Sequence, residues 1–388
     1  MKLAERMSRL GTETAFEVLA KARALEARGK EVVHLEIGEP DFDSPAHVVD
    51  AGVESLRSGF THYSPSPGIP ELRASIARFA GTKRGLTFSP DQVVVTPGGK
   101  PVMFFVLLAL AQEGDEVIYP NPGFPIYESM INFVGARAVP IPLREENRFR
   151  LDVDEVARLI TPKTRLIIIN SPQNPTGGVL ERSDLQRLAA LAVEHDLVVL
   201  SDEIYSEIFY EGEHVSIAEF PGMAERTIIL DGFSKTYAMT GWRLGYGIMP
   251  TDFVASISRL VTNSVSCTAT FVQRAGVAAL DGSQDDVARM VAEFRRRRDV
   301  IVEGLNAIPG LRCAMPAGAF YAFPYVGDVG MDCRAFADYL LNDAGVATLS
   351  GTSFGSFGEG YLRLSYATSI ENIQKALDRI GSAVRRLK

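Results

Sequence analysis

Lys235 stands in the segment DGFSKTYAMTGWRLGYG, residues 231–247, with Ser234 before it and Arg243 after it. Its neighbours are small, polar and glycine-rich, which weakens the ordinary reading of a lysine as a solvated surface charge. An enclosed lysine holds its proton less tightly and becomes a nucleophilic amine, suited to Schiff-base chemistry with a carbonyl. Ser234 and Arg243 could bind a phosphate, Arg243 as a fixed fork of donors. In VVLSDEIY, residues 198–205, Asp202 ends an apolar run. A buried carboxylate there is costly unless a cation such as a protonated ring nitrogen meets it. The competing reading is an N-cap for a following helix.

Three further segments have the same character. TPGGKP, residues 96–101, sends a Gly-Gly turn into the apolar stretch PVMFFVLLAL. Free backbone N–H groups and the positive dipole end make such a helix start an anion cradle, although a plain tight turn has the same spelling. No GxGxxG or GxxxxGK[ST] pattern occurs in the chain, which argues against a nucleotide-binding dehydrogenase. NSPQNPTGG, residues 170–178, could place Asn174 as a donor to a ligand oxygen, or simply make turns. YLRLSYA, residues 361–367, sets Arg363 between Leu362 and Leu364 on a strand expected to be half-buried with one polar face. An arginine there needs a carboxylate from the protein or from a ligand.

These segments need a frame. Apolar runs at 92–96, 116–119, 137–141, 165–170, 197–201, 227–231 and 244–249 alternate with helical patterns at 101–111, 152–160 and 182–195. Continuous Val/Ile-rich runs suit strands covered on both faces, so the expectation is an α/β doubly wound, mostly parallel sheet. Helices are also expected at 12–28, ending at Gly29, at 46–58 and at 69–79, with Pro70 in the first turn. After residue 284 the pattern changes to a long helix, 285–305, short strands at 319–324 and 361–365, and helices at 333–344 and 370–387. The expected division is an N-terminal segment, 1–45, packing with a small α+β domain, 285–388, and a large domain, 46–284. The basic run 295–298 reads as a solvated helix face.

A net charge of −8 argues against nucleic acid and anionic membranes as main partners. Three cysteines without CxxC spacing argue against a disulfide framework or a zinc site, and no metal is expected. The first thirty residues mix acids and bases and lack the apolar core of a secretory signal. The longest apolar stretch, 102–111, is too short to cross a membrane, so a cytoplasmic protein is expected.

Taken in order, SPQNPTGG, SDEIY, SKTYAMTGWR and RLSYA resemble the class I/II aminotransferases of PLP fold type I, closest to their bacterial aspartate-aminotransferase-like subgroup. The resemblance covers essentially the whole chain. It implies a homodimer that carries pyridoxal 5'-phosphate and moves an amino group from an L-amino acid to a 2-oxo acid in a ping-pong reaction. Lys235 matches the Schiff-base lysine that later shuttles the substrate proton, and Asp202 the partner of the pyridinium nitrogen. Tyr205 and Asn174 match the groups on the ring 3-oxygen, and Phe124, in YPNPGFPIY, the stacking aromatic. Gly99, Lys100, Ser234 and Arg243 match the phosphate cup, the first two through backbone N–H groups. Tyr63, in THYSPSPG, matches a tyrosine that reaches the neighbouring subunit's phosphate. Gly38 and Arg363 match the holders of the substrate α-carboxylate, and Asn174 lies near it. The same cage also hosts eliminases, lyases, cyclases and racemases, and these motifs do not choose among them. A PLP-binding regulator usually carries a DNA-binding domain ahead of this fold, and the acidic charge disfavours it. Relatives in the subgroup tend to carry small hydroxyl residues near the distal pocket, where this chain has Thr12-Glu13-Thr14. Glu13 lining the pocket would favour cationic or uncharged substrates over aspartate; its other reading is a first-turn acid favoured by the helix dipole.

Overall fold

The computed structural model describes residues 1–387, so the last residue of the expected unit 285–388 lies outside the described residues. Twelve strands are present among them: β1 (Val33–His34), β2 (Val93–Thr96), β3 (Glu116–Asn121), β4 (Arg137–Pro142), β5 (Thr164–Asn170), β6 (Val198–Asp202), β7 (Thr227–Gly232), β8 (Gly245–Ile248), β9 (Tyr321–Ala322), β10 (Val346–Ala347), β11 (Leu349–Ser350) and β12 (Leu362–Ser365). Seven of them form one sheet in the order β2-β8-β7-β6-β5-β3-β4. Only β8 runs against its neighbours. The C-terminal ends of β2, β3, β5, β6 and β7 therefore meet along one edge, where ligands bind in such sheets.

The apolar strands do what their sequence requires. Successive side chains point to opposite faces, and both faces are covered. On β5, Leu166 and Ile168 pack with Val106, Leu107 and Tyr127 on one side. Ile167 and Ile169 pack with Leu185, Leu188 and Ala192 of the helix Arg182–Glu194 on the other. Each such fully buried aliphatic side chain contributes about 1.5–3 kcal/mol.

A second body of core gathers the helices Asp285–Asn306 and Ile370–Leu387 around Phe294, Ile301, Phe336 and Ile380. The N-terminal segment joins it directly. β1 pairs in parallel with β10, Ser365 donates to the Leu35 carbonyl at 2.7 Å, and Ala22 of the helix Thr14–Glu26 packs on Leu341 and Ala347.

Four expectations need correction. The first helix ends at Glu26 with Ala27 as its cap; Gly29, at φ +81°, turns the chain afterwards. All four residues of β12 are buried, so it has no polar solvent face, because β11 and β9 flank it and core covers it. The basic run is only half solvated. Arg297 pairs with Asp41 and Glu293, and Arg298 with Glu211 and Asp299, both nearly buried under the second core. The expected strand 319–324 is ordered as strand only at Tyr321–Ala322. Helices at Ile126–Val134, Thr251–Ser264 and Thr270–Asp281 were not expected. No helix among the described residues is long and apolar enough to cross a membrane.

Candidate active site

At the common strand edge a cavity of about 470 Å³ opens. Eleven of the twelve site residues singled out in the sequence line it: Gly38, Gly99, Lys100, Phe124, Asn174, Asp202, Tyr205, Ser234, Lys235, Arg243 and Arg363. Tyr63 lies outside this lining and is 89% exposed.

Lys235 sits on the single turn Phe233–Thr236 that follows β7. Its Nζ donates to the Gly38 carbonyl at 2.5 Å. Burial pulls its pKa from 10.5 down to about 8, against the opposing pull of Glu39. The sequence therefore builds an amine that is neutral in a useful fraction near physiological pH.

Asp202 ends β6 and caps no helix, which removes that reading. Its Oδ1 accepts from the Ile204 N–H at 3.2 Å and its Oδ2 from the Tyr127 hydroxyl at 2.6 Å. Both donors are neutral. Burial pushes the carboxyl from 3.8 up to about 6, and the Tyr127 bond draws it back only in part. A cationic hydrogen-bond donor is the group this carboxylate lacks. Asn170 ties the local loops together, donating to the Asp202 carbonyl at 2.9 Å and accepting from the Asn174 N–H at 2.9 Å.

Behind Asp202 lies a dry charge cluster. Arg84 donates to Glu203 at 2.7 Å and to Asp231 at 2.9 Å, and its side chain is 2% exposed. His214 meets Glu203 at 2.9 Å, with Ser201 and Ser216 on its other oxygen. Burial would raise Glu203, but Arg84 and His214 hold it well below the usual carboxylate range. Asp231 is driven by burial to about 6.

The opposite end of the cavity is built for an anion. Gly99 is the N-cap of the helix Lys100–Leu110, and no side chain caps that end. Ser234, on the turn Phe233–Thr236, and Arg243, on the loop before β8, line the same cavity. Arg243 is held against Gly98: a Cβ there would lie 2.3 Å from its Nη2, and Gly98 takes φ +91°. Lys100 Nζ stands 5.4 Å from the centre of the Phe124 ring and pairs with Glu13, which also lines the cavity.

Arg363 closes the site from the second core. Its guanidinium lies 4.6 Å from the Tyr321 ring and 4.9 Å from the Phe354 ring. It donates to Asn174 Oδ1 at 3.2 Å and to the Glu36 carbonyl, and its buried Nε has no partner. Burial lowers its pKa. A buried guanidinium bonded to neutral oxygens retains a strong affinity for a carboxylate. Tyr205 and Tyr321 join hydroxyls at 2.7 Å, and burial raises the pKa of both.

Tyr127, Tyr321 and Asn170 are cavity residues that sequence reasoning missed. Tyr127 falls in the same YPNPGFPIY segment as Phe124, and Asn170 opens NSPQNPTGG, so proximity was the available signal. Tyr321 gave none beyond its place on an expected strand.

The family described as aminotransferase class I and II matches residues 30–380. An aspartate aminotransferase of Pyrococcus abyssi is 42% identical over 92% of this chain and 93% of its own length. Aromatic-amino-acid aminotransferase 2 of Thermococcus litoralis is 40% identical over the full length of both. The structure of the Thermus thermophilus aspartate aminotransferase with maleate aligns over 99% of this chain and 100% of its own, with 39% identity and a TM-score of 0.95.

Proposed function

We propose that this chain, which belongs to the class I and II aminotransferases, holds pyridoxal 5'-phosphate in the cavity and uses Lys235 as its catalytic amine. Transamination between amino and 2-oxo acids is the activity of the family. One observation carries the site assignment. A desolvated lysine, a buried carboxylate without a cationic partner and an uncapped helix start surround one cavity of cofactor size. When bound, the cofactor supplies a ring that accepts the electron pair of a broken bond at the substrate Cα.

The chain's own residues do the rest. Gly99 and Lys100 N–H groups, Ser234 and Arg243 hold the phosphate. Asp202, oriented by Tyr127, would take the proton-bearing ring nitrogen. Phe124 would cover the ring face, and Tyr205 and Asn174 would donate to the ring 3-oxygen. Arg363 and the Gly38 segment would clamp the substrate α-carboxylate and so orient the amino acid in the cavity. The freed Lys235 amine then moves the proton off Cα. Only the neutral amine can do this, and its lowered pKa supplies it.

The same reading divides the chain at 45/46 and 284/285, lets the smaller part close as Arg363 engages substrate, pairs two chains with Tyr63 reaching the partner's phosphate, and places the enzyme in the cytoplasm. Its test is the cofactor-loaded protein mixed with single amino acids and no 2-oxo acid. The expected result is about one matched 2-oxo acid released per cofactor, lost in Lys235→Ala. No release with any amino acid would overturn the assignment. The relatives' names span aspartate and aromatic donors, so similarity alone selects no donor.

A further inference from the structure

Among the described residues three carboxylates line the cavity: Glu13, Glu39 and Asp202. Asp202 is taken by Tyr127, and Glu39 accepts from Thr240. Glu13 is different. It occupies the N-cap of the helix Thr14–Glu26, yet its side chain does not cap that helix. It turns to the cavity instead and pairs with Lys100. It shares that cavity with the catalytic amine Lys235 and the carboxylate clamp Arg363.

The two members of the pair are unequal. Glu13 is 18% exposed, whereas Lys100 is 49% exposed and already rests over the Phe124 ring. Lys100 can swing into water at little cost, whereas Glu13 is the more enclosed partner. A cationic substrate tip would replace Lys100 charge for charge. An acidic tip would have to compete with Glu13 for Lys100 and sit beside a second carboxylate. Ala15, Phe16 and Ile37 supply apolar wall for a methylene stem.

We infer that Glu13 is a specificity determinant that selects amino donors with a cationic tip on an aliphatic side chain, the lysine, ornithine and arginine class, and disfavours acidic donors. This rests on the cavity being the amino-acid site.

The test is kcat/KM of the cofactor-loaded enzyme for L-lysine, L-ornithine, L-arginine, L-leucine and L-aspartate at a fixed 2-oxo acid. At least one cationic donor should exceed aspartate by about tenfold or more, and Glu13→Gln should lower the cationic-to-leucine ratio about tenfold. Lys100→Met should move the same ratio upward, which keeps the inference testable if one variant folds poorly. Donors that turn over with a ratio unmoved in both variants, or a wild type that prefers aspartate, overturn this inference alone. No turnover of any donor overturns the reading of the cavity and this inference with it.

Discussion

Tyr127 donates its hydroxyl hydrogen to Asp202 at 2.6 Å, with both residues buried and no cation on the carboxylate. The site is thus left electrostatically incomplete, and the cost falls on the cofactor-free protein. Asp202 has a folded pKa of about 6, raised from 3.8 by burial. A raised folded pKa means that the native state binds the proton more tightly than the unfolded chain. The contribution is present below about pH 4 and lost as pH rises through about 6. Asp202→Asn keeps the Tyr127 bond and removes the charge. Without cofactor, the variant should be more stable than wild type at pH 8, by on the order of 2–3 kcal/mol. The gap should close towards pH 4, as read by urea denaturation at both pH values. With cofactor, its turnover should fall about a hundredfold or more. A variant less stable than wild type at pH 8 would mean that a cation already faces the carboxylate.

Lys235 titrates near pH 8 instead of 10.5. The lowered value places the neutral, nucleophilic amine at lower pH. Covalent cofactor uptake by the cofactor-free protein should therefore accelerate with pH and level off, with its midpoint near 8. Stopped-flow absorbance against pH measures this. A rate still climbing past about pH 10 would mark an unperturbed lysine. Lys235→Arg should show no covalent phase.

Among the described residues, Arg84 is the one cation shared by the buried Glu203 and Asp231. Arg84→Met leaves two carboxylates in a dry setting and should cost about 3–5 kcal/mol at pH 8. Glu203 lies below its ordinary value in the wild type, so that stability is present above about pH 4.5 and is lost as pH falls. The variant's carboxylates protonate more readily, so the difference should shrink at pH 5. Denaturation midpoints at the two pH values decide it, and a constant difference would assign the loss to packing alone.

Strand ends and loops were the legible part of this molecule. Lys235, Asp202, Asn174 and Gly99 follow apolar runs whose length and Val/Ile content fix them as buried strands, so the sheet edge could be placed from one dimension. Asp202 shows where that stops. Its apolar approach implied burial, but its partner Tyr127 lies 75 residues away, on the short helix Ile126–Val134 that the sequence reading did not expect. Arg297 and Arg298 fail for the same reason: on a helix with mixed charge, burial is decided by Asp41 and Glu211 on distant loops. Glu13 could be suspected, but the pairing that turns it inward depends on Lys100 at the start of another helix.

Gly38 offers the sharpest geometric test. A Cβ at this position would lie 2.1 Å from the Tyr321 hydroxyl oxygen, which bonds Tyr205, while the Gly38 carbonyl accepts from Lys235. Its φ is not in the left-handed region, so backbone strain is not the issue. Gly38→Ala should therefore displace either the tyrosine pair or the segment that holds Lys235, and lower kcat/KM about a hundredfold. The hard clash is with one oxygen atom, while the ring carbons Cζ and Cε1, at 3.0 and 3.1 Å, need give only a few tenths of an ångström. Tyr321→Phe alone removes a single hydrogen bond and should cost only a few-fold, roughly 1 kcal/mol. Combined with Gly38→Ala it removes the atom in the way, so the double variant should recover about tenfold over Gly38→Ala. Steady-state kinetics on the four proteins give the coupling directly. A double variant no better than Gly38→Ala would mean that the backbone, not the phenol, yields to the added methyl group.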